Sequence, residues 1–213
     1  MGKTGKRNLD HIVLAVHDLD KAMRAIERKL GVKPIFGGYH KTFGTKNALV
    51  NLDQGVYLEL LAADNSNTKI QPPRWMGVDG NEENKISRWA VKSEQLDYDS
   101  VILSTYDPKM GNILNGSRNT ATGSLLKWQL IIPLPEPEVE IVPFIIDWSQ
   151  SETHPHDELP DMGCSLVELY GMHPNPDQFR EIFEKLEFKF RIEKADKIAL
   201  RAVLKCPRGI IEI

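Results

Sequence analysis

LDHIVLAV, residues 9–16, is a short and mostly aliphatic run that predicts a buried strand. Asp18 follows as a helix N-cap, and apolar residues then recur at helical spacing from Leu19 to Leu30. Gly31 predicts the end of this helix, because glycine adopts the left-handed C-cap conformation without a steric penalty. The opening of the chain therefore predicts a strand followed by a helix.

Two or three strands are expected after this helix. A Gly-Gly turn at residues 37–38 precedes the strand-like residues 47–52, and an Asp-Gln-Gly turn leads to the apolar run 56–61. The order is strand, helix, then two or three strands, which is the order of a βαβββ module.

The same order recurs along the chain. It is clear in residues 161–213 and fainter in residues 84–150, and residues 8–63 hold the first copy. We therefore predict an α+β fold of three repeated βαβββ modules, whose curved mixed sheets form a cleft. The three modules are expected to make up a single domain, residues 1–213.

The overall composition excludes several classes of protein. The 213 residues carry a formal net charge of −3, with 41% hydrophobic and 27% charged residues. This balance indicates no cluster of Lys and Arg for binding nucleic acid. No apolar run is long enough to span a membrane. Cys164 and Cys206 are not spaced as a redox or zinc motif, and both fall in apolar runs. We expect a cytoplasmic protein with reduced, buried cysteines.

A carboxylate recurs in the last strand of each module. Glu59, Asp147 and Glu212 each stand in an otherwise apolar run. A charge among buried neighbours is costly unless it is paired, hydrogen-bonded or bound to a metal. The recurrence indicates either an ancestral ligand position or a shared structural salt bridge.

His11 lies in the first strand of its module and Glu59 in the fourth, and both side chains can project into one concavity. An imidazole and a carboxylate are suitable ligands for Fe, Mn, Zn or Ni. The alternative is a buried His–Glu pair that fixes the curvature of the sheet.

The chain resembles the glyoxalase-like domain of the vicinal-oxygen-chelate superfamily over nearly its whole length. The segments that carry the resemblance are DHIVLAV (10–16) with Asp18-Leu19, GGYH (37–40), GTKNALV (44–50), YLEL (57–60), LKW (126–128), PFIIDW (143–148) and His154-Pro155.

The resemblance implies a metal between two paired modules, held by residues of the first and fourth strands of each. Carried over, the ligands are His11 and Glu59 from the first module and Asp147 from the second. Ile86 stands where a histidine is expected in the second module, so His40, His154 or His156 completes the site, or the metal has been lost. No nucleotide cofactor is expected.

Other polar residues are candidates for binding a small-molecule substrate: His40, Thr45, Asn47, Trp148 and His154. For the glycine-rich segment of the first module, the alternative is that its residues only form a turn. For His154, the alternative is a position in a solvated loop. Arg118 and Arg88 can each receive an anionic group, although Arg88 suits an exposed strand position equally well.

The resemblance implies one of several functions. The first is a divalent-metal-dependent lyase, isomerase or dioxygenase for a small substrate with vicinal oxygens, with Glu59 also serving as the base. The second is a metal-free protein of the resistance type, which binds a small molecule in the same cleft between aromatic side chains. A structural role is the third, and a homodimer is plausible because modules in this superfamily often pair between chains.

Overall fold

The computed structural model describes residues 7–80, 83–120, 123–136 and 138–213. The first module consists of β1 (Asn8–Ala15), α1 (Leu19–Leu30), β2 (Ile35–His40), β3 (Thr45–Asn51) and β4 (Tyr57–Ala63). Asp18 caps α1 by accepting a hydrogen bond from the Lys21 amide, and Gly31 ends it with a φ of 83°. The predicted caps of this helix are confirmed.

The second module repeats this order with β5 (Lys85–Lys92), α2 (Leu96–Tyr106), β6 (Ile113–Asn119), β7 (Leu125–Ile131) and β8 (Phe144–Asp147). In both modules the fourth strand returns to pair parallel with the first, as β4 does with β1 and β8 with β5. Strand β6 was not predicted from the sequence, because its polar and glycine-interrupted segment ILNGSRN lacks the signature of a buried strand.

The two modules join into one eight-stranded sheet through an antiparallel contact between β1 and β5. The strand order is β2-β3-β4-β1-β5-β8-β7-β6, and the sheet curls until its two edges approach each other. There Nη1 of Arg118 on β6 donates a hydrogen bond of 2.5 Å to the carbonyl of Gly37 on β2. The result is a nearly closed barrel, and the first module pairs with the second.

Side chains alternate between the inside and the outside of this barrel. Val13, Phe144 and Ile146 belong to an apolar cluster inside it, whereas Ile12 and Trp89 belong to the larger core that also includes the helices. This alternation follows from the two-residue period of a strand. It decides which residues can reach an interior site.

The third module covers one side of the barrel. It contains β9 (Ser165–His173), α3 (Arg180–Lys185), β10 (Arg191–Lys194), β11 (Ala199–Cys206) and β12 (Gly209–Glu212). Phe183, Phe188 and Phe190 pack against Trp89 of β5, with ring centroids 4.4–6.3 Å apart. This aromatic contact makes the third module part of the main core.

The strand order of the third module, β10-β9-β11-β12, differs from that of the other two modules. Here β12 pairs with β11 and lies at the sheet edge, so Glu212 does not sit beside the first strand of its module. Its carboxylate accepts a hydrogen bond of 2.9 Å from the Tyr170 hydroxyl. The predicted repeat of modules is confirmed, but Glu212 is not the positional equivalent of Glu59.

In the part of the chain that is described, no helix is long and apolar enough to cross a membrane.

Candidate functional site

The interior of the barrel holds a small cavity between the two paired modules. Its volume is about 30 Å³, which is room for one or two water molecules. The polar side chains that line it are His11, His40, Asn47, Glu59 and Arg118, and the aromatic ones are Tyr57, Trp75, Trp128, Phe144 and Trp148. Polar groups that converge within an aromatic wall are typical of a small-molecule site.

Glu59 supplies the carboxylate of this cavity. It lies on β4 and is 5% exposed. Nδ2 of Asn47, on the neighbouring strand β3, donates a hydrogen bond of 2.5 Å to Glu59 Oε1. This bond fixes one carboxylate oxygen and leaves Oε2 directed toward His11.

His11 is held in a fixed orientation by the residue that precedes it. Asp10 is fully buried, and its Oδ1 accepts a short hydrogen bond from Nδ1 of His11. The proton on Nδ1 is assigned from this partner, because an ionised carboxylate can only accept. His11 Nε2 therefore points into the cavity, 3.6 Å from Glu59 Oε2.

Asp10 also anchors residues 148–155, the segment that covers the cavity. Its Oδ2 accepts hydrogen bonds from Nε1 of Trp148 at 3.0 Å and from Nε2 of His154 at 2.9 Å. Burial by itself would raise the pKa of Asp10, but the hydrogen bonds and charges of the two histidines hold this pKa well below its ordinary value. Asp10 thus remains an ionised acceptor that links His11, which lines the cavity, to the covering segment.

His40 is a second buried imidazole beside Glu59. Its Nδ1 lies 3.0 Å from Oγ1 of Thr45, which also accepts a hydrogen bond from Nε1 of Trp75. The Thr45 hydroxyl can donate its proton to His40 Nδ1, and the Glu59 carboxylate beside Nε2 favours the ring proton on that nitrogen. That nitrogen lies 4.0 Å from Glu59 Oε1.

The protonation state of His40 follows from its surroundings. Burial, together with the smaller effects of Arg118 and His11, lowers its pKa to about 4 against an opposing effect of Glu59. His40 is therefore a neutral N–H donor at physiological pH. A neutral imidazole in such a position can polarise an oxygen atom of a ligand.

The structure brings most of the predicted site residues together. His11, His40, Asn47, Glu59 and Trp148 all line the cavity. Thr45 supports His40 from behind, and His154 lies in the covering segment, with its ring centroid 5.3 Å from that of Trp148. His156 is bonded to its neighbour Asp157 instead and does not line the cavity.

Asp147 is not brought to the cavity. Phe144 and Ile146 on the same strand point inward, so the two-residue period directs Asp147 elsewhere. Its carboxylate accepts hydrogen bonds from the amide and the hydroxyl of Ser149, at 2.7 and 3.1 Å. Asp147 therefore serves the turn after β8.

Arg88 likewise has a structural role. Its guanidinium donates hydrogen bonds to the carbonyls of Ser87, Leu134, Glu136 and Glu138, and so holds the loop between β7 and β8. The exposed strand position considered from the sequence is wrong, because Arg88 is buried. The described part of the second module faces the cavity with an arginine and with apolar side chains.

The donor set falls short of the four-ligand metal centre that the resemblance implies. Residues 7–80, 83–120, 123–136 and 138–213 contain no group of three or more His, Cys, Asp or Glu side chains placed to hold a metal ion. His11 and Glu59 supply two donors from the first module, and Phe144 and Ile146 face them from the second. Two protein ligands are fewer than a catalytic zinc site ordinarily has.

Sequence reasoning missed Asp10 as an anchor and missed two residues of the segment between the modules. Trp75 and Met76 lie in a short 3-10 turn and fill the barrel from one end. Phe43 stacks on Trp75 with the ring centroids 3.8 Å apart. The available signal was an apolar Trp-Met pair within a polar, proline-rich segment.

Several solved structures are similar to this chain. A hypothetical protein from Staphylococcus aureus has a solved structure that is 18% identical, with a TM-score of 0.69 over 96% of this chain and 93% of that one. Methylmalonyl-CoA epimerase from Mycobacterium tuberculosis is 19% identical, with a TM-score of 0.43 over 69% and 92% of the two chains. A variant of the Streptomyces coelicolor epimerase in complex with 2-nitronate-propionyl-CoA is 18% identical, with a TM-score of 0.43 over 68% and 97%.

The staphylococcal protein shares the fold along almost the full length of both chains. The comparison with curated proteins found no match. A family model described as a glyoxalase-like domain matches residues 9–187, which includes both modules of the barrel. The chain therefore belongs to the glyoxalase-like domain family, within the vicinal-oxygen-chelate superfamily.

Proposed function

We propose that this protein is an enzyme that transfers a proton on a small carbonyl substrate, with Glu59 as the general base. The observation that carries the proposal is the setting of Glu59, a buried carboxylate with one oxygen held by Asn47 and the other directed into the cavity. A general base needs this combination of fixed position and reach toward the substrate proton.

The proposed step is the removal of a proton from the carbon next to a carbonyl group. The C–H bond breaks, the proton moves to Glu59 Oε2, and the electron pair moves onto the carbonyl oxygen to give an enolate. Return of the proton to a carbon atom completes an isomerisation. The neutral N–H of His40 supports the enolate oxygen, because it is a hydrogen-bond donor beside the carboxylate.

Substrate entry requires the cavity to open, since its present volume admits only one or two waters. Trp148 and Pro155 line the cavity from the segment after β8, and Trp148 and His154 are both hydrogen-bonded to Asp10. Held by these bonds, this segment would keep water away from the enolate on its side of the cavity.

Solvent deuterium exchange tests this function. The protein is incubated in D2O with a panel of small 2-oxo acids, 2-hydroxy ketones and 1,3-dicarbonyl acids, and the loss of C–H signal is followed by proton NMR. We expect exchange above the buffer rate for at least one compound, and a loss of about 100-fold or more in Glu59→Gln. Glu27→Gln, an exposed position on α1, is the matched control.

Two outcomes of this experiment would overturn the proposal. One is equal exchange by the wild type and Glu59→Gln. The other is binding of compounds from the panel without any exchange, which would favour the metal-free binding protein that the resemblance also implies.

A metal-dependent enzyme is the second candidate, and one contact favours it. If His11 Nε2 carries no proton, it and Glu59 Oε2 are two electron-rich atoms only 3.6 Å apart, an arrangement that a cation between them would stabilise. Asp10 bonded to Nδ1 of His11 is also a usual partner of a metal-binding histidine. His11 and Glu59 would hold such an ion, and the remaining ligands would be substrate or water.

Metal analysis of protein purified without chelators tests this second candidate. Stoichiometric Fe, Mn, Zn or Ni that disappears in both His11→Ala and Glu59→Gln would support it. Protein that contains no metal and whose melting temperature is unchanged by added divalent cations would contradict it.

A further inference from the structure

The two edges of the barrel meet in a seam between β2 and β6. These strands are not hydrogen-bonded neighbours in the described sheet, which ends with β2 on one side and β6 on the other. The bond from Arg118 Nη1 to the Gly37 carbonyl crosses this seam. Gly38, with a φ of 136°, permits the close approach, since a Cβ there would lie 3.0 Å from the Asn119 carbonyl oxygen.

Arg118 is a buried cation without a described counter-ion. It is 7% exposed, and no carboxylate of residues 7–80, 83–120, 123–136 or 138–213 lies within 4.0 Å of its guanidinium. The side chains of Arg7 and Arg74 are also buried and are paired with Asp99 and Asp79. Among the described residues, Arg88 instead donates to four backbone carbonyls and Arg118 to one. A buried charge that lacks an ionic partner is costly to retain, so Arg118 is suited to receive an anion.

Arg118 borders two spaces at once. It lines the interior cavity that contains Glu59, and it also lines an open groove of about 530 Å³ on the outside of the seam. The groove contains a second cation, Lys41, and none of its described lining residues is acidic. In a chain with a net charge of −3, this is a local positive surface, and Arg118 is common to it and to the cavity.

Exposed apolar side chains flank the same groove. Phe36 and Tyr39 of β2 contact each other edge to face, with ring centroids 5.3 Å apart, and Leu125 lies on the opposite side. All three are exposed although they are large and apolar. An exposed apolar cluster beside cations suits a ligand that has both an acidic group and a hydrocarbon portion.

We infer that the substrate of this enzyme is an organic acid, which enters through the β2–β6 seam and binds its carboxylate or phosphate to Arg118. This inference rests on the proposed function, because it assigns the substrate class of the site that contains Glu59. Lys41 attracts the acid to the groove, and the guanidinium exchanges its bond to the Gly37 carbonyl for the bound oxyanion. Arg118 then fixes the acidic end while the carbonyl portion extends toward Glu59.

Ligand binding followed by tryptophan fluorescence tests the inference, because Trp75, Trp128 and Trp148 line the cavity. The probes are malonate and phosphoglycolate, with uncharged malonamide as their neutral counterpart. We expect both acids to bind the wild type and malonamide to bind at least 10-fold more weakly. Binding of the acids should weaken as ionic strength rises.

Variants separate Arg118 from general charge effects. Arg118→Met should weaken binding of the acids by about 10-fold or more, and Arg118→Lys should restore part of this loss. Lys127→Met removes one exposed positive charge on β7 and should leave binding unchanged. If Arg118→Met does not fold, two other measurements test the inference. They are the comparison of malonate with malonamide on the wild type, and Lys41→Met in the groove, which should weaken binding of the acids.

Glu59→Gln distinguishes the two proposals. It should bind the acids at least as tightly as the wild type, so a failure of the proton-transfer function would leave this result intact. Equal binding of malonate and malonamide, full binding by a folded Arg118→Met protein, or no binding of either acid by the wild type would each overturn the inference.

Discussion

Nε2 of His11 and Oε2 of Glu59 face each other across 3.6 Å, and each of these residues is held by a different neighbour. Asp10 fixes the imidazole through its Nδ1, and Asn47 fixes the carboxylate through its Oε1. The pair is therefore oriented before any ligand arrives. Such preorganisation is what a catalytic site requires, because little reorientation remains to be done during the reaction.

Asp10→Asn should destabilise the protein by about 3 kcal/mol, because it removes a buried charge that accepts bonds from His11, Trp148 and His154. Chemical denaturation at pH 7 measures the loss. Asp18→Asn is the matched control, since asparagine caps a helix as well as aspartate does, and it should cost less than about 0.5 kcal/mol. A similar cost in both variants would contradict the role given to Asp10.

The buried carboxylate of Asp10 should also make the free energy of unfolding depend on pH. Its pKa is lower in the folded protein than in the unfolded chain, so its stabilisation is present above the unfolded value near 4 and is lost as the pH falls through the folded value. The free energy of unfolding of the wild type should therefore fall more steeply below pH 4 than that of Asp10→Asn. Parallel curves would contradict the prediction.

His40 should remain neutral down to mildly acidic pH. Burial lowers its pKa to about 4, so its ring nitrogen signals in NMR should not change between pH 8 and about 5. Between the ordinary value of 6.5 and about 4 the unfolded chain binds the extra proton, and stability should decrease by up to roughly 3 kcal/mol as the pH falls. His40→Gln should remove this part of the pH dependence. Protonation of His40 near pH 6.5 would show that the ring is not confined as described.

Gly37→Ala should disturb the support of Glu59. A Cβ at this position would lie 2.4 Å from Oδ1 of Asn47, so the amide that donates to Glu59 must move. We expect a loss of about 1–3 kcal/mol in the free energy of unfolding and a weaker exchange activity. In an Asn47→Ala background the same substitution should cost less, because the main clashing atom is absent. Additive costs would indicate that Gly37 and Asn47 are independent.

The two cysteines should react slowly in the folded protein. Cys164 and Cys206 are buried with their sulfur atoms 2.6 Å apart, and burial together with the neighbouring thiol raises the pKa of Cys164 to about 12. Only the thiolate reacts with a disulfide reagent, so the native, reduced protein should be modified far more slowly than the protein in denaturant. Fast and complete modification of the native protein would contradict this burial.

Much of the fold was predictable because local signals agreed with the final structure. The Asp18 and Gly31 caps and the apolar stripe between them defined α1, and the alternation of the strands defined the module order. The glycine-rich and polar segment around His40 and Asn47 was predicted to bind a small molecule, and both residues line the cavity on the side of the first module. The pairing of the modules was not predictable, since the contact between β1 and β5 joins residues far apart in the chain.

The second half of the site was predicted less well for a specific reason. Glu59 and Asp147 were matched by their place near a strand end, but what decides the direction of a side chain is the two-residue period. Phe144 and Ile146 take the inward positions of β8, and Asp147 bonds to Ser149. The importance of Asp10 and Arg118 arises from contacts across the barrel, which no local pattern reveals.

We expect Glu59 to transfer the proton without the help of a bound metal ion. This expectation is tested by solvent deuterium exchange, measured after treatment with EDTA and removal of the chelator. The treated wild type should keep its exchange rate, and Glu59→Gln should lose it while remaining folded. Activity that disappears with EDTA and returns on addition of a divalent cation would show instead that proton transfer needs the metal.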